Sequence, residues 1–509
     1  MHFLTARAGI RTAGRWFTTF GSDPENPAYH RFMQHLQRLS GLDASFLYLE
    51  TPTQPLHVCS VLELDASTIP GGYTFERLRD ELALRITAIP TFREKLANSF
   101  LNLDHPVWVE DDHFDVERHV HRIGLPAPGG RAELAEVCGH LAALPLDRRH
   151  PLWEMWAIEG LGGTDARKGG RLAVMTKVHH AAVDGVTGAN LMSQLCSVEP
   201  DAPPPVPVAG SADVNPIRIA LGGLGRFASR PINLATKVLP ETVSTVVDTV
   251  RRVAGGRAMA SPFGAPHTPF NASITAHRNV AFAQLDFEDI KTVKNHFDVK
   301  VNDVVMALVS GVLRQYMLDR GELPDAPLVA MVPVSVHDRS DRPGRNQVSG
   351  LFSSLETQIE DPGERLRAIA ADNTVAKEHS AAIGATLLQD WSQFAGPAIF
   401  GVAMRVYARS RLTESPVHNL VVSNVPGPQI PLYFLGAEVD AMYPLGPIFH
   451  GAGLNITVMS LNGKLNVGLI SCPELLPDLS DMADGFAAGM KELLKAAKSK
   501  RRPVAADPP

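Results

Sequence analysis

Five prolines crowd into the eight residues from Pro200 to Pro207. Proline lacks a backbone N–H and fixes φ, so neither a helix interior nor a central strand can run through this stretch. It reads as an exposed linker. The chain is thereby divided into two blocks, as expected of 509 residues, which exceed a typical single domain. The boundaries are an extension at 1–37, a first block at 38–199, a linker and crossover at 200–278, a second block at 279–498 and a tail at 499–509.

Within the first block, residues 75–86 and 131–144 have helical spacing, whereas 58–64, 153–158 and 172–178 read as strands. In the second block a helix is expected to begin near Asn302-Asp303, either of which can cap its first turn. Val304, Val305, Leu308, Val309, Val312, Leu313 and Tyr316 then recur at helical spacing. Strands are expected over 328–336 and 420–425. Two more, 454–461 and 464–471, flank Asn462-Gly463, the strongest short-range signal of a hairpin. A last helix is expected over 482–498. Helices and strands are interspersed in both blocks, so the fold class is α/β.

Net charge is -6, which offers no overall basic field for nucleic acid. The four cysteines are scattered, with no CxxC pair, and read as reduced thiols of a cytoplasmic protein. No apolar run reaches the roughly 20 residues that span a bilayer. The N-terminus nevertheless reads as an amphipathic segment. Phe3, Ile10, Ala13, Phe17 and Phe20 share one helical face, and Arg7, Arg11 and Arg15 cluster on another. A disordered extension or a start placed too early are the plainer readings. The basic, apolar stretch 217–257 reads as a crossover with one or two helices, facing the protein or a membrane.

The stretch from Leu172 carries an apolar strand into His179-His180 and then into Asp184-Gly185, with a helix expected over 189–196. Strand-to-loop junctions often present catalytic groups to a cleft. A neutral imidazole can take the proton of a hydroxyl as it attacks a carbonyl. A nearby carboxylate can fix loop geometry or the tautomer, and Gly185 permits a tight turn. If the strand continues, adjacent histidines point to opposite faces, so at most one faces a given pocket. Two structural histidines with Asp184 as a turn residue, or a metal pair, remain open on spacing alone.

His-His-x-x-x-Asp-Gly resembles the signature of the coenzyme A-dependent acyltransferase superfamily. The stretches around it resemble the bacterial wax ester synthase/diacylglycerol acyltransferase family. They are 38–50 followed by Pro55-Leu56-His57, Pro151-Leu152-Trp153-Glu154, Pro269-Phe270-Asn271, 301–305, Pro333-Val334-Ser335 with 344–349, and 423–428. Departures are Gly41, where proline is usual, and Val336-His337, where an arginine is common.

The resemblance implies two chloramphenicol acetyltransferase-like lobes joined by a crossover, with the active site in a channel between them. His180 is the implied general base, His179 supports the loop, and Asp184 is mainly structural. Asn302 and Asp303 either shape the channel or cap the helix. Pro426-Gly427-Pro428 is expected to be a turn, and Trp153 a core residue. Arg149 is a candidate partner for Asp184. The implied reaction makes triacylglycerol from diacylglycerol and long-chain acyl-CoA, and leaves wax esters from long-chain alcohols open as further products. It needs no metal and no cofactor beyond the acyl-CoA substrate. The implied place is the cytoplasm, with attachment to the inner membrane face or lipid droplets left open. Two rivals are a carrier-protein-dependent condensation-type acyltransferase and a non-catalytic lipid-binding protein of the same fold.

Overall fold

The computed structural model describes residues 37–98, 104–163, 170–183, 195–208, 219, 265–335, 348–383, 406–407, 410, 413 and 416–498. The expectations for the N-terminal extension, most of the 217–257 crossover, the helix after Asp184 and the C-terminal tail lie outside them. In chain order the strands of the first block are β1 (Gln37–Arg38), β2 (His57–Asp65), β3 (Glu94–Ala97), β4 (Val107–Glu110), β5 (Val120–Gly124), β6 (Trp153–Leu161) and β7 (Arg171–His179). Those of the second are β8 (Asn279–Asp286), β9 (Val329–Ser335), β10 (Val348–Ser354), β11 (Leu420–Val425), β12 (Tyr433–Phe434), β13 (Ala437–Leu445), β14 (Leu454–Leu461) and β15 (Lys464–Ser471).

One six-stranded sheet runs β12-β13-β2-β7-β6-β5, a second runs β10-β9-β11-β14-β15-β8, and β1-β4-β3 form a small third. The first sheet therefore does not follow the order of the blocks. Its β13 comes from the second block and pairs antiparallel with β2 from Val439 opposite Leu64 to Leu445 opposite Cys59. A strand pattern states that a segment is extended, not which edge it joins.

Helices cover both sheets for local reasons. In α1 (Gly41–Leu49), Ser40 and Asp43 form a reciprocal capping box. In α2 (Phe75–Ile86), Thr74 accepts from Arg77 N–H, and Leu78, Leu82 and Ile86 bury one stripe. These two helices pack with Leu62, Leu64 and Val174 on one face of the first sheet. From α3 (Arg131–Ala143), Leu134 and Leu141 pack with Val61, Ala173 and Met175 on the other. Central β2 and β7 are thus buried on both faces, which explains their nearly continuous apolar runs. On the second sheet pack α4 (Phe287–Phe297), α5 (Val301–Leu318), α6 (Pro362–Ile383) and α7 (Leu479–Lys498). The expected hairpin is present, with Asn462 and Gly463 at φ 42° and 77°. Residues 202–208 have no regular structure. No helix among the described residues is long and apolar enough to cross a membrane.

The two large sheets meet where β13 lies against β15. A Cβ on Gly468 would overlap the carbonyl oxygen of Pro444, and the rings of Phe282 and Tyr443 sit 4.8 Å apart. This contact brings the end of β7 close to segments of the second block.

Candidate active site

His179 is the last residue of β7 and stands directly opposite His57 of β2. The strand does not continue beyond it. Ala182 N–H bonds back to the His179 carbonyl at 2.9 Å, and His180 N–H donates to the Leu56 carbonyl at 2.8 Å. The alternation expected of a continuing strand is thereby lost. Both histidines contact the C-terminal end of α1, His180 through Phe46 of its last turn and His179 through Glu50, the C-cap residue. His180 is partly exposed, and its ring stacks on Phe46 at 4.0 Å and 12°.

Glu50 is the hub. Its Oε2 lies 2.8 Å from His179 Nε2 and also accepts from the Arg148 guanidinium. Its Oε1 lies 3.5 Å from His57 Nε2, beyond a good hydrogen bond. On the other side of the His179 ring, Nδ1 accepts Ala181 N–H at 3.0 Å. An acceptor at Nδ1 requires the proton at Nε2, so the network assigns one tautomer: Nε2–H donates to Glu50.

The charges agree with that assignment. Burial works to raise the Glu50 carboxyl, but the bond from His179, the nearby His57 ring and the charge of Arg148 hold it well below the usual carboxylate range. Burial lowers His57 from 6.5 to about 4 and lowers His179 as well, despite their shared carboxylate. Near neutral pH the cluster is a carboxylate between two neutral imidazoles and a guanidinium. His179 has no lone pair left for a metal, because Nδ1 is taken by Ala181 and Nε2 carries the proton.

The wax ester synthase/diacylglycerol acyltransferase catalytic domain matches residues 39–305, and the WS/DGAT C-terminal domain matches 345–494. The chain belongs to this family. A provisionally named diacylglycerol O-acyltransferase of Mycobacterium tuberculosis is 58% identical over 474 residues, covering 93% of this chain and 92% of that protein. A similarly named protein of Mycobacterium bovis is 36% identical over 472 residues, 90% of each chain. Among solved structures, the wax ester synthase/diacylglycerol acyltransferase from Marinobacter aquaeolei VT8 superposes with a TM-score of 0.64 at 29% identity, over 90% of this chain and 99% of that one. A trichothecene 15-O-acetyltransferase from Fusarium sporotrichioides shares the fold with a TM-score of 0.58 at 10% identity, over 91% of this chain and 95% of that one.

Of the residues that the family pattern singles out, Asp184 and Gly185 lie outside the described residues. Arg149 forks onto Asp147, with its Nη2 2.7 Å from Oδ2, so its described partner is a neighbour on its own loop. The helix expected at Asn302-Asp303 starts at Val301, with Lys300 as its N-cap. Neither Asn302 nor Asp303 is therefore the cap residue. Asp303 instead reaches back from the third helical position to accept Lys300 N–H at 2.9 Å, and it accepts from Asn373 at 2.8 Å. Asn302 is partly exposed at the same helix start. Trp153 is core, donating Nε1–H to the Phe92 carbonyl and stacking on His119. Pro426-Gly427-Pro428 packs against the β14–β15 hairpin, where a Cβ on Gly427 would overlap the Ser460 carbonyl.

Four residues of the cluster escaped the sequence reading as site candidates: Phe46, Glu50, His57 and Arg148. Glu50 and His57 sit inside the quoted family stretches, and an acid directly after the apolar run Phe46-Leu47-Tyr48-Leu49 was the available signal. Nothing local tied them to a histidine 129 positions beyond Glu50.

Proposed function

We propose that this chain transfers a long-chain acyl group from acyl-CoA to the free hydroxyl of diacylglycerol, forming triacylglycerol, with His180 as general base. Long-chain alcohols are a second class of acceptor, giving wax esters. The reading places the reaction in a channel between two chloramphenicol acetyltransferase-like lobes, with coenzyme A entering from one mouth and the acceptor from the other.

The observation that carries it is the division of roles within the histidine pair. His179 is fully buried with both ring nitrogens engaged, and His180 is partly exposed with its ring stacked on Phe46. An alcohol is a poor nucleophile at neutral pH. A His180 ring nitrogen accepts its proton as the oxygen attacks the thioester carbon. The tetrahedral oxyanion is stabilised by backbone N–H groups or by the Asn302 amide. The C–S bond then breaks, and the imidazolium returns its proton to the leaving thiolate. Asp184 and Gly185 shape the turn, and Asp303 holds the start of α5. No acyl-enzyme is required, since no Gly-x-Ser-x-Gly elbow supplies a serine nucleophile.

The test is labelled palmitoyl-CoA offered to diacylglycerol and to hexadecanol in parallel, with native and His180→Ala protein. The native chain is expected to form labelled triacylglycerol. His180→Ala should lose on the order of a hundred- to ten-thousand-fold in rate. Near-native transfer by folded His180→Ala protein overturns the assignment.

A further inference from the structure

We propose that Glu50, the residue that closes α1, is a positioning residue for acyl transfer: by holding the His179 ring it fixes the turn that aims His180. The proposal rests on the reading of His180 as base.

The connection is a chain of bonds. Glu50 Oε2 accepts the Nε2 proton of His179 at 2.8 Å. That leaves a lone pair on Nδ1, which accepts Ala181 N–H at 3.0 Å. The His179 carbonyl accepts Ala182 N–H, and His180 N–H reaches the Leu56 carbonyl. The backbone on both sides of His180 is therefore tied, and one tie depends on the His179 tautomer. With its proton on Nδ1, His179 would face Ala181 donor to donor, and the turn would open.

Glu50 is itself held. Arg148 Nη2 reaches the Leu47 carbonyl as well as the Glu50 carboxylate, clamping the end of α1. Beyond Glu50, Thr51 and Gln54 close a backbone bridge. The Gln54 side chain donates to the Leu49 carbonyl and accepts His450 N–H from the second block. The C-terminal end of α1 and its cap thus supply the ring face under His180, from Phe46, and the anchor of His179, from Glu50. A general base works only within hydrogen-bond reach of the proton it takes, so a loosened turn costs turnover more than substrate binding.

The full chain is assayed with palmitoyl-CoA and either diacylglycerol or hexadecanol, as native, Glu50→Gln, Arg148→Met and His180→Ala protein, each checked for a cooperative melt. Glutamine keeps the shape but loses the charge, and its amide N–H can turn toward His179 and stabilise the opposite tautomer. Partners that orient functional histidines typically change activity about 10- to 100-fold, so Glu50→Gln should lower kcat by that order while KM for acyl-CoA stays within about two-fold. In 15N spectra of histidine-labelled protein, His179 should change from a single Nε2–H form to a mixture. Arg148→Met, on the more exposed side of the carboxylate, should give a smaller loss of the same kind, and it replaces Glu50→Gln if that variant does not fold. Native kcat with a single His179 tautomer, in whichever of the two variants is folded, overturns the proposal. If His180→Ala remains active the base assignment fails instead; if it is inactive while Glu50→Gln is native-like, only the positioning role fails.

Discussion

Two buried histidines, His57 and His450, and the half-buried His418 are each lowered by desolvation from 6.5 to about 4. In the unfolded chain each takes up a proton as pH falls through about 6.5, while the folded chain refuses it until about 4. The unfolded state therefore binds more protons in this window, and stability must decrease as pH is lowered through it. Glu50, held below the usual carboxylate range, adds to the loss as pH falls below its ordinary 4.5, because only the unfolded carboxyl then protonates. The melting temperature should fall steadily from pH 7.5 toward pH 5, and His57→Gln should flatten the slope. A melting temperature constant across that range would contradict neutral burial of these rings.

Among the elements, α5 shows how one carboxylate, expected either to shape the channel or to cap the helix, holds the helix start. Asp303 satisfies an N-terminal backbone donor and the buried Asn373 amide, which is itself bonded to Ser353 Oγ. Asp303→Ala removes the acceptor of Lys300 N–H and leaves Asn373 short of a partner, each worth about 1–2 kcal/mol. Asp303→Asn should cost less, since it keeps an acceptor. Denaturant unfolding of both variants, with the surviving activity corrected for folded fraction, decides the matter. Full stability with abolished transfer in Asp303→Ala would move this residue from scaffold to reaction.

For the whole molecule, the contact of β13 with β15 joins the two large sheets. Gly468 is glycine because the Pro444 carbonyl occupies the place of its Cβ. Gly468→Ala should therefore push the sheets apart and cost about 1–3 kcal/mol or more, as overpacking does. Gly463→Ala, in the open hairpin turn, meets nothing within 4 Å and should cost only its backbone strain. Equal melting temperatures for the two variants would show that the junction can relax. The lipid acceptor sets a second expectation at this scale. Each arginine near an anionic surface contributes about 1 kcal/mol, so Arg7, Arg11 and Arg15 should give salt-sensitive attachment. Flotation with anionic liposomes at low and high salt should show binding by the full chain and weaker binding once residues 1–36 are deleted. Failure of the full chain to float at low salt would refute this attachment.

Whatever depends on near neighbours was legible in the chain. Asn462-Gly463 specified its hairpin because a turn of that type needs positive φ at two successive residues. Residues 75–86 specified α2 because a capping threonine and a four-residue apolar repeat act within a few turns. His179-His180 marked the candidate site because it lies where a buried strand ends. The tertiary structure alone decided three things: that β13 leaves its own block to pair with β2, that Asp303 bonds to Asn373, and that Glu50 takes the Nε2 proton of His179. Each is a pairing between groups far apart in sequence. Local propensity and periodicity carry no information about such a partner, which emerges only when sheets and helices compete to bury their faces and satisfy the polar groups left inside.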